Sequence, residues 1–300
     1  MKLVKFGSSE EQVSEMCLGT MMFGRRCDEK ESDRILSFAL DNGVNFVDTA
    51  AMYGEGKTEK ILGRIMKNRR KEIFLTTKVH KGVDSKSILT SIDESLKRLQ
   101  TDYVDMYLIH WPREGMNPEK IMETLNNVIE SGKTRFIGCS NYPAWLVAHS
   151  NCIAKLRGWK TFINHQVCYN LIERGIEVEV LPQAVAENVA ITTYRPMAIG
   201  LLTGKYKPEQ PIPDDSRGHS DWRISTWLER YKVGILQFFQ FAKDRDLTPA
   251  QLAISWVRES RGVTCPIIGV SSLNQLKEGI KAFDFNLSDQ EYKEVTDMFD

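Results

Sequence analysis

The stretch Val44 to Gly56, VNFVDTAAMYGEG, decides how the rest of the chain is read. It opens as a short, largely apolar run and breaks at once into Asp48 and Thr49, so a buried strand ends in an acid. Tyr53 follows among small residues and beside Gly54, the composition of a loop. Whether acid and tyrosine belong to one site depends on what other strands deliver to the same place.

Working outward, strand-like and helix-like segments alternate. MCLGT, ending in Gly19 and Thr20, precedes the stretch, and a helix is predicted from Asp28 with Ile35, Phe38, Ala39 and Asn42 near one face. After it come a helix through Ile61, Leu62, Ile65 and Met66, the strand EIFLTTK ending at Lys78, and a helix stepping through Ile88, Ile92, Leu96 and Leu99. YVDMYLIH ends at His110, and Asn117-Pro118 is a cap followed by proline in the first turn. TRFIGCSN, a helix over residues 144–156, TFINHQ, the helical IEVEVLPQAVAEN and AITTY continue the series. Helices are predicted to resume around Trp227 to Lys243; Thr248, Pro249 and Gln251 then cap another, VTCPIIG is the last strand, and Ser272–Phe283 and Ser288–Met298 are closing helices. One interruption, residues 197–225, is rich in proline and glycine and is predicted to be a long loop over a bound ligand.

Eight predicted strands with intervening helices, and no composition shift marking a linker, argue for one α/β domain over residues 1–300: a (β/α)8 TIM barrel with its working face at the carboxyl end of the strands. A doubly wound open sheet would carry a glycine-rich turn after its first strand, and LGTMMFG lacks that fingerprint.

With 40 basic and 40 acidic side chains the formal charge is zero, so no global field favours nucleic acid or an anionic membrane. The basic run Lys67 to Lys71 reads as a solvated helix end. The six cysteines show no C-x-x-C spacing; neither a metal site nor a redox dithiol is expected, and a reducing, cytoplasmic setting is. No apolar signal core or membrane-length apolar run is present in the sequence.

The barrel reading gathers Asp48, Lys78 and His110 at the ends of the second, third and fourth strands, with Tyr53 in a loop above them. Taken singly they are a turn residue, a solvated lysine, a packed histidine and a loop anchor. Together they are what carbonyl reduction needs. A tyrosine with an ordinary pKa of about 10 is helped toward proton donation by an adjacent lysine, whose charge an aspartate holds and aims. A histidine hydrogen-bonds the carbonyl oxygen and fixes its angle.

VDTAAMYGEG, TTK, YLIHWP, GCSNY and PIIGVSS occur in the order and spacing of the aldo-keto reductases, and the chain resembles that family over nearly its whole length. The resemblance implies a catalytic tetrad of Tyr53, Asp48, Lys78 and His110, with transfer of the pro-R hydride. It implies that Ser140, Asn141 and Gln166 hold the nicotinamide carboxamide, that Tyr194 stacks on its ring, that Gly19 and Thr20 lie beside its ribose, and that Asp48 also contacts the cofactor. GVSSLNQLKE is similar to the branch that includes potassium-channel β-subunits. There Ser271 and Gln275 would meet the adenosine phosphate, Glu278 the adenine, and Lys205 and Arg217 of the long loop the other phosphates. Backbone donors opening the Ser272 helix suit an anion as well.

The chain departs from the family's pattern at Arg195, where serine is usual, at Val270 and Leu276, where a lysine and an arginine hold a 2′-phosphate in other members, and at Gly279, where asparagine is usual. NADP(H) is expected over NAD(H), a preference those departures weaken. Phe23, Met52, Trp111 and Tyr142 are the expected substrate walls, with Arg25, Arg113 or Arg223 able to meet a carboxylate. The expected partner is a small aldehyde or ketone, with no nucleic acid and no membrane; a homo-oligomer is left open. Two other readings are a cofactor-binding regulatory subunit with slow turnover, as the β-subunit resemblance allows, and a lyase using Lys78 as a Schiff-base nucleophile.

Overall fold

The computed structural model describes residues 1–300 apart from Asp215 and the side chain of Arg217. Two short antiparallel strands, β1 (Leu3–Lys5) and β2 (Gln12–Ser14), come first. Eight parallel strands then close into a barrel: β3 (Cys17–Gly19), β4 (Phe46–Asp48), β5 (Phe74–Val79), β6 (Val104–Ile109), β7 (Thr134–Ser140), β8 (Phe162–Cys168), β9 (Ala190–Tyr194) and β10 (Cys265–Gly269). β10 pairs with both β9 and β3, which closes the ring. The expected (β/α)8 TIM barrel is the observed fold.

Between the strands run α1 (Glu29–Asp41), α2 (Lys57–Ile65), α3 (Ser85–Leu99), α4 (Pro118–Glu130), α5 (Ala144–Arg157) and α6 (Val180–Glu187). After β9 come α7 (Trp222–Arg230), α8 (Lys232–Asp244) and α9 (Pro249–Glu259), and after β10 come α10 (Leu273–Lys281) and α11 (Asp289–Asp297). Their starts follow local chemistry. Asp28, Asn117, Thr248 and Ser288 each accept a backbone N–H from the first turn of the helix they precede, and the last two complete capping boxes with Gln251 and Glu291. α7 begins at Trp222, capped by Asp221, so helix resumes earlier than the glycine and proline content indicated.

Strand periodicity sorts the side chains. Phe46, Phe74, Met106 and Leu108 point into the barrel with Cys17, Cys265 and Ile267, while Val47, Leu75, Tyr107 and Ile109 pack outward against the helices. Extending the inward parity toward the carboxyl ends reaches Asp48 from Phe46, Lys78 from Phe74 and His110 from Leu108. Apolar residues fill the barrel from below, and polar residues of the same parity crown it.

Residues 1–14, which precede the first strand expected from the sequence, form a hairpin that plugs the amino end. Phe6 is wholly buried, with its ring centroid 5.3 Å from that of Phe46 and 5.1 Å from that of Phe74. Gly7 turns there at φ 57°, and a Cβ on it would stand 2.5 Å from the Ile163 carbonyl oxygen. The basic run before β5 is also not a merely solvated helix end. Lys67 and Lys71 are exposed, but Arg69 pairs with Asp41 and Glu72, and Arg70 pairs with the buried Asp105.

Candidate active site

The four expected residues come together at the carboxyl end of the barrel. Lys78 is fully buried, and its ammonium donates to both carboxylate oxygens of Asp48, at 2.7 and 2.8 Å, and to the Thr49 carbonyl at 2.7 Å. All three of its protons are thereby held. Gln166 donates from Nε2 to Oδ1 of Asp48 at 2.9 Å, tying β8 to β4 across the mouth. Burial works against the Lys78 charge, but the Asp48 carboxylate beside it prevails and moves its pKa up.

Tyr53 sits half-buried above this pair, its ring centroid 5.2 Å from the Lys78 ammonium and 6.3 Å edge-on from the His110 ring. The chain turns sharply past it: Gly54, Glu55 and Gly56 follow with φ of 55°, 54° and 85°. Two glycines make that left-handed turn affordable, and Glu55 bears the strain. The pKa of Tyr53 is raised by burial; Lys78 pulls it down and Asp48 pushes it further up. The lowering expected from Lys78 is therefore outweighed, chiefly by burial, with the Asp48 carboxylate adding to it. A proton on Tyr53 is retained at neutral pH, and a developing alkoxide is a far stronger base than a tyrosinate.

His110 is half-buried, stacked at 6.0 Å on Trp111, with a buried Nδ1 that has no hydrogen-bond partner. Burial, then the charges of Lys78 and His80, lower its pKa to about 3, so the ring is neutral and offers one donor and one acceptor. A buried, unpartnered ring nitrogen beside Tyr53 fits a ligand carrying a polar oxygen.

A second polar group faces them. Ser140 and Gln166 are direct neighbours in the β7–β8 register. Ser140 donates from Oγ to the Gln166 carbonyl at 2.9 Å. Asn141, left-handed at φ 62°, donates from Nδ2 to the His110 carbonyl at 3.1 Å and to Ser140 Oγ at 2.9 Å. Its Oδ1 accepts from the Tyr194 hydroxyl at 2.7 Å, which fixes the plane of that half-buried ring at the end of β9. Gly19 lies beside Asp48 in the β3–β4 register, and the Thr20 hydroxyl donates to the Asp48 carbonyl at 2.9 Å. That bond braces the end of β4 against β3.

The sequence of this molecule matches a model of the aldo/keto reductase family over residues 15–300. The chain belongs to the aldo/keto reductase family. It is 32% identical over 319 residues to "Uncharacterized oxidoreductase YrpG" of Bacillus subtilis, covering 100% of this chain and 96% of that one. It is 31% identical to "Probable voltage-gated potassium channel subunit beta" of Arabidopsis thaliana, over 95% of this chain and 92% of the plant protein. It is 28% identical to "Norsolorinic acid reductase B" of Aspergillus parasiticus, over 96% of this chain and 81% of the fungal one. Membership makes it an oxidoreductase of the class that uses nicotinamide cofactors on carbonyl compounds.

The outer parts of this aldo/keto reductase site are less uniform. Met52 and Trp111 are exposed at the mouth, 40% and 46% respectively, whereas Phe23 and Tyr142 are buried in the layer between barrel and helices and cannot line a pocket. Arg25 and Arg113 are exposed; Arg223 is held by Asp221 through two bonds of 2.9 and 2.8 Å. Arg195 lies over the Tyr194 ring, 5.5 Å from its centroid, and Lys205 over Tyr206 at 5.0 Å. The Arg217 side chain lies outside the described residues, although its backbone opens a short 3-10 turn, Arg217–His219. Ser271 donates from N and Oγ to Oε1 of Gln275 at 2.8 and 3.0 Å, so these two do meet, while Glu278 is half-buried one turn on.

The departures have packing reasons. Val270 and Leu276 are buried in the outer core, so apolar side chains serve the barrel–helix contact there. A side chain at Gly279 would start 3.4 Å from Ile268, facing the core. Sequence reasoning missed the structural role of His165, a buried ring whose Nε2 accepts the Tyr142 N–H at 3.2 Å and so secures the turn after Asn141. Its neighbours Asn164 and Gln166 were the only signal, and a histidine beside them reads equally well as core.

Proposed function

We propose that this protein reduces the carbonyl of an aldehyde or ketone with hydride from a reduced nicotinamide dinucleotide, Tyr53 supplying the proton. The observation that carries the reading is the closed Asp48–Lys78 pair under a protonated Tyr53, with a neutral His110 at 6.3 Å between ring centroids.

The dinucleotide supplies a hydride at its nicotinamide carbon. Asn141 offers the amide chemistry that a carboxamide pairs with, and Tyr194 offers a ring face fixed by its bond to Asn141. Lys205 and Arg217, in the long segment after β9 that we assign to covering the cofactor, are the candidate phosphate contacts. The substrate oxygen is taken to rest between the Tyr53 hydroxyl and a His110 ring nitrogen. As hydride reaches the carbonyl carbon, the C=O electron pair moves to oxygen and takes the Tyr53 proton, giving the alcohol. The resulting tyrosinate is stabilised by Lys78 and reprotonated by solvent; in oxidation Tyr53 is the base. Asp48 keeps Lys78 charged and aimed. A Schiff-base role for Lys78 finds no support, since the amine is buried, charged and holds three acceptors.

Met52 and Trp111 at the mouth suit an apolar carbonyl compound, and six free cysteines, four of them buried, suit a reducing cytoplasmic setting. Among the described residues no helix is long and apolar enough to cross a membrane. The similarity to a protein named as a channel β-subunit favours a second reading, a dinucleotide-binding regulatory subunit that turns over slowly. Steady-state turnover with a panel of aldehydes and ketones separates the two. Reduction by the wild type that is lost in Tyr53→Phe, with dinucleotide binding kept, is the expected result; full turnover in that variant refutes the proton-donor role. We take NADP(H) as the cofactor, as the family resemblance implies, with Ser271 and Gln275 meeting the adenosine phosphate and Lys205 another phosphate.

A further inference from the structure

Glu59, in the first turn of α2, is a fully buried carboxylate with no part in the proton transfer described above. Its two oxygens face different elements. Oε1 accepts from the Thr77 hydroxyl at 2.6 Å, and Thr77 directly precedes Lys78 on β5. Oε2 accepts from Nε of Arg98, on α3, at 2.6 Å. Arg98 also donates to Ser95 Oγ at 3.2 Å and lies 3.6 Å from the Glu94 carboxylate.

Arg98 in turn backs the turn that carries Tyr53. Gly56 closes that turn at φ 85°, and a Cβ on it would stand 2.7 Å from Arg98 Cδ and 2.9 Å from its Nε. The end of the turn thus rests directly on the arginine. Gly63 sets α2 equally close to α3, where a Cβ would meet the Arg98 carbonyl oxygen at 2.6 Å. From the other side the Thr58 hydroxyl donates to the Phe23 carbonyl at 2.8 Å. A single carboxylate therefore ties the strand of Lys78 to the arginine under the turn of Tyr53. The Lys78 ammonium stands 5.2 Å from the Tyr53 ring centroid, and proton transfer depends on such placements being held.

We infer that Glu59 is a positioning residue for carbonyl reduction, which through Thr77 and Arg98 fixes Tyr53 relative to Lys78. The inference rests on the reading of Tyr53 as proton donor. Without the carboxylate, the Thr77 hydroxyl and the Arg98 guanidinium lose a buried partner, Gly56 loses its support, and the turn of Tyr53 is free to drift from Lys78. Hydrogen-bond geometry rather than charge holds the turn. An amide of the same shape can therefore stand in, accepting from Arg98 through its oxygen and donating to the Thr77 hydroxyl through its nitrogen.

The test is steady-state reduction by the intact protein of whichever aldehyde or ketone in the panel wild type reduces fastest, with kcat referred to folded molecules. Glu59→Ala is expected to lower kcat about 10–100-fold, as a misplaced reacting group does, with KM and NADPH binding changed less than about threefold. Glu59→Gln leaves Arg98 without its buried counter-charge, so it should melt earlier than wild type yet keep kcat within about threefold. Should Glu59→Ala fail to fold, Thr77→Val carries the test. It cuts only the bond to β5 and is expected to lower kcat more than about threefold with KM held. A kcat in the alanine variant, or in Thr77→Val where that replaces it, within about threefold of wild type overturns the inference and leaves Glu59 a stabilising residue only. A Glu59→Gln variant as slow as Glu59→Ala overturns it too, since the amide keeps both bonds. Tyr53→Phe separates the two levels. If it keeps full turnover, or if wild type reduces nothing in the panel, the proton-donor reading fails and the inference with it; if it is inactive while Glu59→Ala is fast, the inference alone fails.

Discussion

The two ends of the barrel are built from the same materials and do different things. At the amino end, Asp105 at the start of β6 is 3% exposed at its side chain and accepts from Arg70 at 2.9 Å, from Arg135 at 2.9 Å and from the Leu75 N–H at 2.9 Å. At the carboxyl end, Asp48, equally buried, accepts from Lys78 and Gln166. Both are aspartates paired with cations. The lower one accepts from three donors, and one of them, Arg135, reaches on to Glu11. The upper one sits beneath a half-exposed tyrosine and a histidine with an orphan nitrogen. A buried ion pair is therefore no sign of a site; reachable, unsatisfied polar groups above it are.

That contrast can be broken most decisively at Tyr53. Tyr53→Phe should lower carbonyl reduction by roughly 10²–10⁴-fold, the usual worth of a positioned general acid, and leave the denaturation midpoint where it was. A variant that melts early but keeps its rate would erase the functional half of the contrast. At the other end, Phe6→Ala opens a cavity between Phe46 and Phe74. It should cost about 3–4 kcal/mol in chemical denaturation, with turnover per folded molecule intact. Asp105→Asn leaves Arg70 under-compensated at a largely buried position, and we expect about 2–3 kcal/mol of destabilisation, again without loss of turnover. If activity fell in proportion to stability in either variant, the two ends would not be separable.

The smallest effect expected is in the pH profile. Tyr53 must be protonated to donate, and its pKa is raised by burial, so the competent form is present below that pKa and disappears as pH rises through it. His110 must be neutral, and its pKa of about 3 means that it protonates only in strong acid. Reduction should thus be flat between about pH 5 and pH 9 and fall only above about 10, the ordinary tyrosine value. A rate that halves between pH 6 and 8 would show a different proton donor.

Much of this was legible in the linear chain because it is local. Strand and helix spacing follows from which side chains can face a core, and caps such as Asn117, Thr248 and Ser288 announce helix starts within three residues. The parity that carries Phe46 to Asp48 and Phe74 to Lys78 needs only the two-residue period of a strand. The hairpin at the amino end was illegible for the opposite reason. Its three-residue strands carry too little pattern, and Phe6 has meaning only once a barrel floor exists to receive it.

Sequence by itself determined the barrel, the family and the four residues at its mouth, since each is a local pattern repeated at strand ends. Only the tertiary structure decided their electrostatics and their reach. Burial sets the sign of the Tyr53 shift against the pull of Lys78, and packing removes Phe23 and Tyr142 from the pocket. It is also the closing of β10 against β3 that brings Glu31 of α1 to Leu273 of α10. Charges interact through space and depend on what excludes water between them, and neither distance nor burial is written in the order of the residues.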